Sequence, residues 1–299
     1  MPEAADRTES TAFRGMNQLQ KNLKKYFAFF VLPALIPFVI SFALPFVMGL
    51  GLSFCNFTVV NNATFNGLDN YIRAFTDPSS NFWYSLGFTS LFTLASIVSV
   101  NVLAFAIALL LTRGMRGTNF FRSLFFIPNL IGGIVLGYVW NTILNAVLQR
   151  FNLTLLFSEK LGFWGLVIVM NWQMIGYMMI IYIAAIQNIP HEQREAAAID
   201  GANGRQMLMR IIIPMVMPAI TICTFLTLTN SFKLFDQNLA LTGGGPAGKT
   251  QMLALNIYHT FYNRNGWSGA GQAKAVIFFL IVGAIAYLQL RLTSRKEEK

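Results

Sequence analysis

Six long apolar runs constrain this chain more than any other feature of it. They cover approximately Tyr26–Phe54, Phe82–Leu111, Phe120–Val147, Leu161–Ile189, Ile211–Leu234 and Ala273–Leu292. The hydrocarbon core of a bilayer is about 30 Å thick and takes roughly 20 helical residues to cross. Each run reaches that length, and several exceed it, which leaves room for tilt or protrusion. Backbone polar groups in lipid must be satisfied internally, so such runs are predicted to be helices. The expected fold class is an all-α membrane protein with six transmembrane helices. Only 11% of the residues are charged, against about 25% in an ordinary soluble domain. Pro33, Pro37 and Pro45 interrupt the first run, but membrane helices tolerate prolines because neighbours satisfy the freed carbonyls. That run is too long for a cleavable signal peptide, and no small-residue cleavage site follows it. The organisation expected is a tail over residues 1–25, a six-span body over 26–292 and a tail over 293–299.

The net charge of +10 admits a nucleic-acid reading, but the placement of the basic residues argues for an orientation signal. Arg7, Arg14, Lys21, Lys24 and Lys25 lie before the first run. Arg113, Arg116 and Arg122 follow the second, and Arg194, Arg205 and Arg210 follow the fourth. Arg291, Arg295, Lys296 and Lys299 close the chain. These alternate segments hold fifteen of the 22 basic residues. Both termini are therefore expected to face the cytoplasm, in a multi-pass protein of the cell (inner or cytoplasmic) membrane whose surroundings are lipid, with no nucleic-acid partner. The segment 235–272 is too short and Gly-rich for a soluble domain, and is expected to be an ordered external loop with one short helix near Leu253–Phe261.

Cys55 and Cys223 lie far apart without metal-ligand spacing, and His191 and His259 have no partner at such spacing. No metal site and no catalytic residue is expected.

The loop over residues 190–214 is the most informative segment. Pro190 suits a helix start. Glu192 and Glu195 favour the positive end of the helix dipole. Ala196, Ala197 and Ala198 combine high helix propensity with small side chains. Gly201 and Gly204 are placed to end the helix or permit close backbone approach. A short helix with a smooth face follows, suited to docking against another surface. Met207, Met209, Met215 and Met217 nearby read as packing, with a soft docking surface as the alternative.

Glu195-Ala196-Ala197, then Gly201 after three residues, then Ile211-x-Ile213-Pro214 after nine more, resembles the signature of ABC-importer permeases. Ile213 stands where that signature has Leu, a mild apolar exchange. The resemblance implies a type I ABC importer permease fold. It implies that Glu195, Ala196, Ala197, Asp200, Gly201, Ile211 and Pro214 belong to a coupling element seated on a separate ATPase. Other stretches resemble the carbohydrate branch of the family: Gly67-Leu-Asp-Asn-Tyr71, Phe121-Arg-Ser-Leu-Phe-Phe-Ile-Pro128, Phe232-Lys-Leu-Phe-Asp236 and Leu241-Thr-Gly-Gly-Gly-Pro246. The implied protein is half of a sugar or oligosaccharide importer. Its implied partners are a second homologous permease in a heterodimer, an ATP-binding subunit dimer and an extracellular or periplasmic solute-binding protein. ATP and Mg²⁺ would sit on the ATPase, with no cofactor on this chain.

One motif points elsewhere. Gly243-Gly-Gly-Pro-Ala-Gly248-Lys249-Thr250 fits the phosphate-binding-loop pattern. That mechanism needs a strand before the loop and a helix after it. Here an apolar helix is expected to precede it, the topology puts it outside the cell, and Pro246 removes a backbone N–H from the cradle. It reads as an external turn.

Polar groups inside apolar runs often mark a pathway. Asn171, Trp172, Gln173 and Tyr177 lie in the fourth run, Asn230 in the fifth, and Lys233 and Asp236 at its outer end. Amides beside aromatic rings suit a sugar. Asn and Gln also join helices across interfaces, and Trp marks the interface belt, so both readings stay open. Lys233 and Asp236, three apart, are expected to share one helix face. A secondary transporter would need buried carboxylates, which the runs almost lack, and a membrane-embedded enzyme would need acidic or His clusters. A permease for a non-sugar solute is the remaining alternative.

Overall fold

A computed structural model of the chain describes residues 27, 29–114 and 116–297. The tail over residues 1–25 lies outside the described residues, as do positions 298 and 299. The described backbone separates into two compact units, with the division between Leu52 and Ser53.

In the first unit the described chain forms α1, Phe29–Leu52. The helix runs on past its prolines, with a π-helical stretch at Val39–Ala43 just after Pro37. Proline removes an i→i−4 bond, and a local π turn is one way a helix absorbs that loss.

The second unit opens on a small antiparallel hairpin, β1 (Cys55–Asn56) with β2 (Thr64–Phe65), in the register Cys55↔Phe65 and Asn56↔Thr64. Cys55 thus sits in a strand, and Cys223 is buried in a helix. Eleven helices follow among the described residues: α2 (Asp69–Thr76), α3 (Phe82–Leu111), α4 (Thr118–Phe126), α5 (Gly133–Gln149) and α6 (Glu159–Gln187), then α7 (His191–Ile199), α8 (Gly204–Met215), α9 (Met217–Phe232), α10 (Asp236–Leu241), and finally α11 (Leu253–Tyr262) and α12 (Ser268–Glu297). The expected loop helix at Leu253–Phe261 is α11.

Four helices (α1, α3 with its short lead-in, α6 and α12) are long and apolar enough to cross a membrane, and two bent pairs bring the number to six if each is one span. The third and fifth runs, read from sequence as single helices, are these broken pairs. α4 and its 3₁₀ extension Ile127–Leu130 meet α5 at 104°, and α8 meets α9 at 69°. The causes are local. Pro128 tightens the first segment, Ile131 is extended, and Gly132 and Gly133 restart the chain. At the second break Val216 leaves helical geometry between Pro214 and Pro218.

α3 and α6 form the most extensive helix pair. They run parallel: Phe88 meets Phe163 near their starts, Ser99 meets Asn171, and Phe105 meets Tyr182 near their ends. The segments that follow them, with Arg113 and Arg116 after α3 and Arg194 after α6, therefore emerge at the same end of the pair. Val100, Ala104 and Ala108 on α3 are fully buried at helical spacing, a small-residue stripe that lets α6 and α9 approach closely. Gly176 of α6 marks the tightest approach, since an added Cβ would lie 1.8 Å from the Phe125 carbonyl oxygen of α4. Met170, Met174, Met178, Met179 and Tyr182 fill the rest of the core. A polar stitch crosses it. Tyr182 Oη donates to Asn101 Oδ1 (2.7 Å), and Asn101 Nδ2 donates to Thr227 Oγ1 of α9 (3.3 Å).

Candidate functional site

α7 follows α6 after a three-residue link, Asn188–Pro190. Pro190 disfavours helical geometry at Ile189 and stops α6 there. α7 ends in a Schellman motif. The Gly201 N–H donates to Ala198 O (3.1 Å) and the Ala202 N–H to Ala197 O (2.9 Å), with Gly201 at φ +77°. An added Cβ at Gly201 would meet nothing within 4 Å. Glycine is needed there for its left-handed backbone, not for room inside the chain. Gly204 has a different part from the one expected. It opens α8, where Asn203 Oδ1 accepts from the Gln206 N–H (2.9 Å) and the Asn203 N–H donates to Gln206 Oε1 (2.8 Å), a capping box.

No side chain of α7 is buried. Arg194 and Ala197 are half-buried, and the rest face outward. Glu195, Ala196, Asp200 and Gly201 form one exposed surface. Ile211 and Pro214 lie apart from it on α8, half-buried and exposed respectively. Ile199 at the end of α7 is 85% exposed. Sequence reading passed over it, although it is the one large apolar side chain in the polar and small-residue run 191–203.

A second polar region is a cleft of about 270 Å³ lined by Gly133, Gln173, Asn230, Lys233, Asp236 and Gln237, with Leu234 and Phe235. It gathers Gln173, Asn230, Lys233 and Asp236 from the sequence candidates. Lys233 caps α9 and Asp236 opens α10, so their spacing is not that of one helix face as expected. Asn171, Trp172 and Tyr177 do not line the cleft. Asn171 Nδ2 donates to Ser99 Oγ and to Val167 O, both at 2.8 Å, so it serves as an interhelical bridge. Trp172 stands edge-on to Trp140, with centroids 5.5 Å apart. Tyr177 packs against the core. Gln237 was missed. Its Nε2 donates to Gln173 Oε1, while its buried Oε1 has no partner among the described residues. Gln173 in turn donates to Ile131 O (3.2 Å) at the α4–α5 break. The signal was hidden because Gln237 falls outside the apolar runs and meets Gln173 only across 64 positions.

The Gly-rich segment 242–252 sits by the start of α6, where Thr250 packs against Gly162. Helix α10 precedes it, so the strand a phosphate loop requires is missing there. Asn238 holds both sides of the turn, donating to Thr242 Oγ1 (3.0 Å) at its start and, at its end, accepting from the Met252 N–H (3.0 Å) and donating to Thr250 O (2.8 Å). Tyr84 Oη donates to Lys249 O (3.0 Å), and the Lys249 side chain is exposed.

Beside this turn lies Lys274, wholly buried near the start of α12. Its Nζ donates to Ser80 O (2.8 Å), Asn256 Oδ1 (2.8 Å) and Thr260 Oγ1 (2.9 Å). Asn256 Nδ2 donates to Gln251 Oε1 (2.9 Å), and Gln251 Nε2 donates to Nδ1 of His259 (2.6 Å). Burial, and then the positive charge of Arg264, lower the His259 pKa. The signal for Lys274 was plain: an ammonium inside an apolar run.

The description "binding-protein-dependent transport system inner membrane component" matches this chain over residues 101–298. The probable starch degradation products transport system permease protein AmyD of Thermoanaerobacterium thermosulfurigenes is 44% identical over 276 residues, covering 90% of this chain and 94% of the relative. The multiple sugar-binding transport system permease protein MsmF of Streptococcus mutans is 34% identical, covering 93% of this chain and 99% of its own length. In fold, the chain is similar to a crystal structure of a bacterial ABC transporter involved in the import of the acidic polysaccharide alginate. The TM-score is 0.77 at 18% identity, covering 93% of this chain and 99% of that one.

Proposed function

The chain belongs to the inner membrane components of binding-protein-dependent transport systems, and from that premise we propose how it works as the permease subunit of a sugar importer. It is a transport component and not an enzyme, since in this family ATP hydrolysis belongs to a separate subunit. The substrate class is sugars and oligosaccharides, the class to which the permeases it resembles are assigned by name. The observation that carries the mechanism is α7, a helix with both ends defined and with Glu195, Ala196, Asp200 and Gly201 exposed along it.

α7 is the element that receives force from an ATPase dimer. Glu195, Ala196, Asp200 and Gly201 provide the close-fitting surface, and Ile199 is the apolar peg that enters the ATPase. Ile211 and Pro214 lie on α8, which carries displacement onward to α9. The end of α6 that bears α7 faces the cytoplasm, in keeping with the run of basic residues Arg113, Arg116, Arg194, Arg205 and Arg210 in the segments that follow α3 and α6. The opposite end, with the turn 242–252, then faces outward and meets the solute-binding protein. The membrane is the inner, or cytoplasmic, one.

An open cleft of about 270 Å³ on one chain is half of a pathway rather than the whole of it. A second, homologous permease completes it, in a heterodimer. The cleft of Gln173, Asn230, Lys233, Asp236 and Gln237 is this chain's half of the solute path. Amides and a lone unpartnered carbonyl oxygen suit the hydroxyls of a sugar.

The test uses residues whose exposure makes misfolding an unconvincing explanation. Replacing Gly201 would bend the backbone as well as alter the surface, so Ile199→Asp and Ala196→Trp are the cleaner variants. Both should insert normally, yet lose the ATPase subunits on purification and cut ATP-driven sugar uptake about tenfold or more. Normal uptake in both would refute the docking role.

A further inference from the structure

We propose that Arg194 is the positioning residue that makes α7 move as one body with α6. This rests on the reading of α7 as the ATPase-docking helix and adds how its motion enters the membrane.

α7 lacks the usual means of staying in place. It has no buried side chain, and amphipathic helices are normally held by an apolar face. Its half-buried side is made of Arg194 and Ala197 alone. The link to α6 is three residues long, and chain connection by itself sets no angle. Arg194 reaches back across that link. Its Nη2 donates to the Ile186 carbonyl oxygen in the last turn of α6, eight residues earlier, at 2.5 Å. That carbonyl takes only loose bonds from the Asn188 N–H and the Ile189 N–H (3.4 Å) in place of a regular helical partner, and it lies at the negative end of the helix dipole, where a cation is favoured. Ile186 and Ile189 beside the bond are buried, which shields it from water and strengthens it. The Arg194 Nε is also sealed from solvent and has no partner among the described residues. The guanidinium is therefore held by its bond to α6; residues 207–212 of α8 touch α7 as well, and the Arg194 bond is what ties α7 to α6.

A push on the exposed face of α7 is then delivered to the end of α6, a rod of 29 residues that is about 43 Å long. Without the bond the same push would turn α7 about Ile189 and Pro190 and reach the membrane through α8 alone, not through α6.

The decisive experiment uses the assembled importer with its ATPase and partner permease, comparing wild type, Arg194→Met and Ile199→Asp. Arg194→Met keeps the unbranched stem of the side chain and removes the donor. It should retain the ATPase at wild-type stoichiometry and keep hydrolysing ATP, while sugar transported per ATP falls about threefold to tenfold. Amide hydrogen exchange over residues 191–199 should speed up about tenfold. A merely structural defect would lower hydrolysis and transport together and leave their ratio unchanged, and that result overturns the proposal. Unchanged exchange over 191–199 overturns it as well. If Arg194→Met leaves the ratio intact while Ile199→Asp releases the ATPase, docking stands and the positioning role falls. If Ile199→Asp has no effect, the docking reading falls and takes this proposal with it.

Discussion

The two ends of α6 are built on opposite plans. Near its first residues, the turn 242–252, α11 and the start of α12 are tied by buried amides and a buried ammonium. Beyond its last residues, α7 has no buried side chain and one hydrogen bond back to the helix. Both ends are polar, so polarity does not separate them. What separates them is the number of independent constraints on each polar group. The first end is fixed in one arrangement, and the second is a stiff part on a sparse mounting. An element that must answer to a partner belongs at the low end of the local stability range, and an element that holds a frame belongs at the high end.

The largest expected effect comes from Lys274→Met. It leaves Asn256 Oδ1 buried without a donor and weakens the ties at Ser80 and Thr260. Orphaned buried acceptors of this kind cost about 3 kcal/mol in all, seen as a lower Tm in detergent. Glu195→Ala on the exposed face of α7 should stay within about 0.5 kcal/mol. Equal shifts for the two would erase the contrast. A smaller effect is expected for Asn203→Ala, which removes the capping box of α8. It should cost about 1 kcal/mol, confined to faster amide exchange at residues 204–206, with Tm little changed. A matching drop in Tm would mean that this end is as cooperative as the other.

The smallest effect is with pH. His259 accepts from Gln251 on Nδ1, so it is neutral in the folded chain, and burial followed by Arg264 lowers its pKa below the ordinary 6.5. Above 6.5 folded and unfolded forms are both neutral there, and stability is full. As the pH falls below 6.5 the unfolded chain takes up the proton first, and stability declines through the lowered folded pKa. The acid limb of Tm against pH should flatten in His259→Gln. An unchanged limb would assign the slope to another group.

Length and hydropathy made most of this fold legible. The runs that became α1, α3, α6 and α12 need only apolar residues in sufficient number. The breaks at Ile131–Gly132 and Val216 were not legible, although Pro128, Pro214 and Pro218 were in plain view. Membrane helices often run straight through proline, as α1 does, so proline alone does not forecast a bend. At α7 the spacing of Glu195, Gly201 and Pro214 located the element but hid its mounting, because the Arg194 bond joins two helices across a turn. Gln173 and Asn230 could be named as polar residues in apolar runs. Gln237 could not, since its partner is set by the packing of α10 against α5 and α6.

The row from Lys274 to His259 has one more property. An amide side chain can usually be turned end for end at little cost, so a line of amides tends to retain residual disorder, as protons do in ordinary ice. An ammonium offers only hydrogens. Its neighbour Asn256 must present oxygen to it and nitrogen onward, Gln251 must then do the same, and the imidazole is left to receive. The row is proton-ordered from one end, and a single charge sets the handedness of every dipole along it.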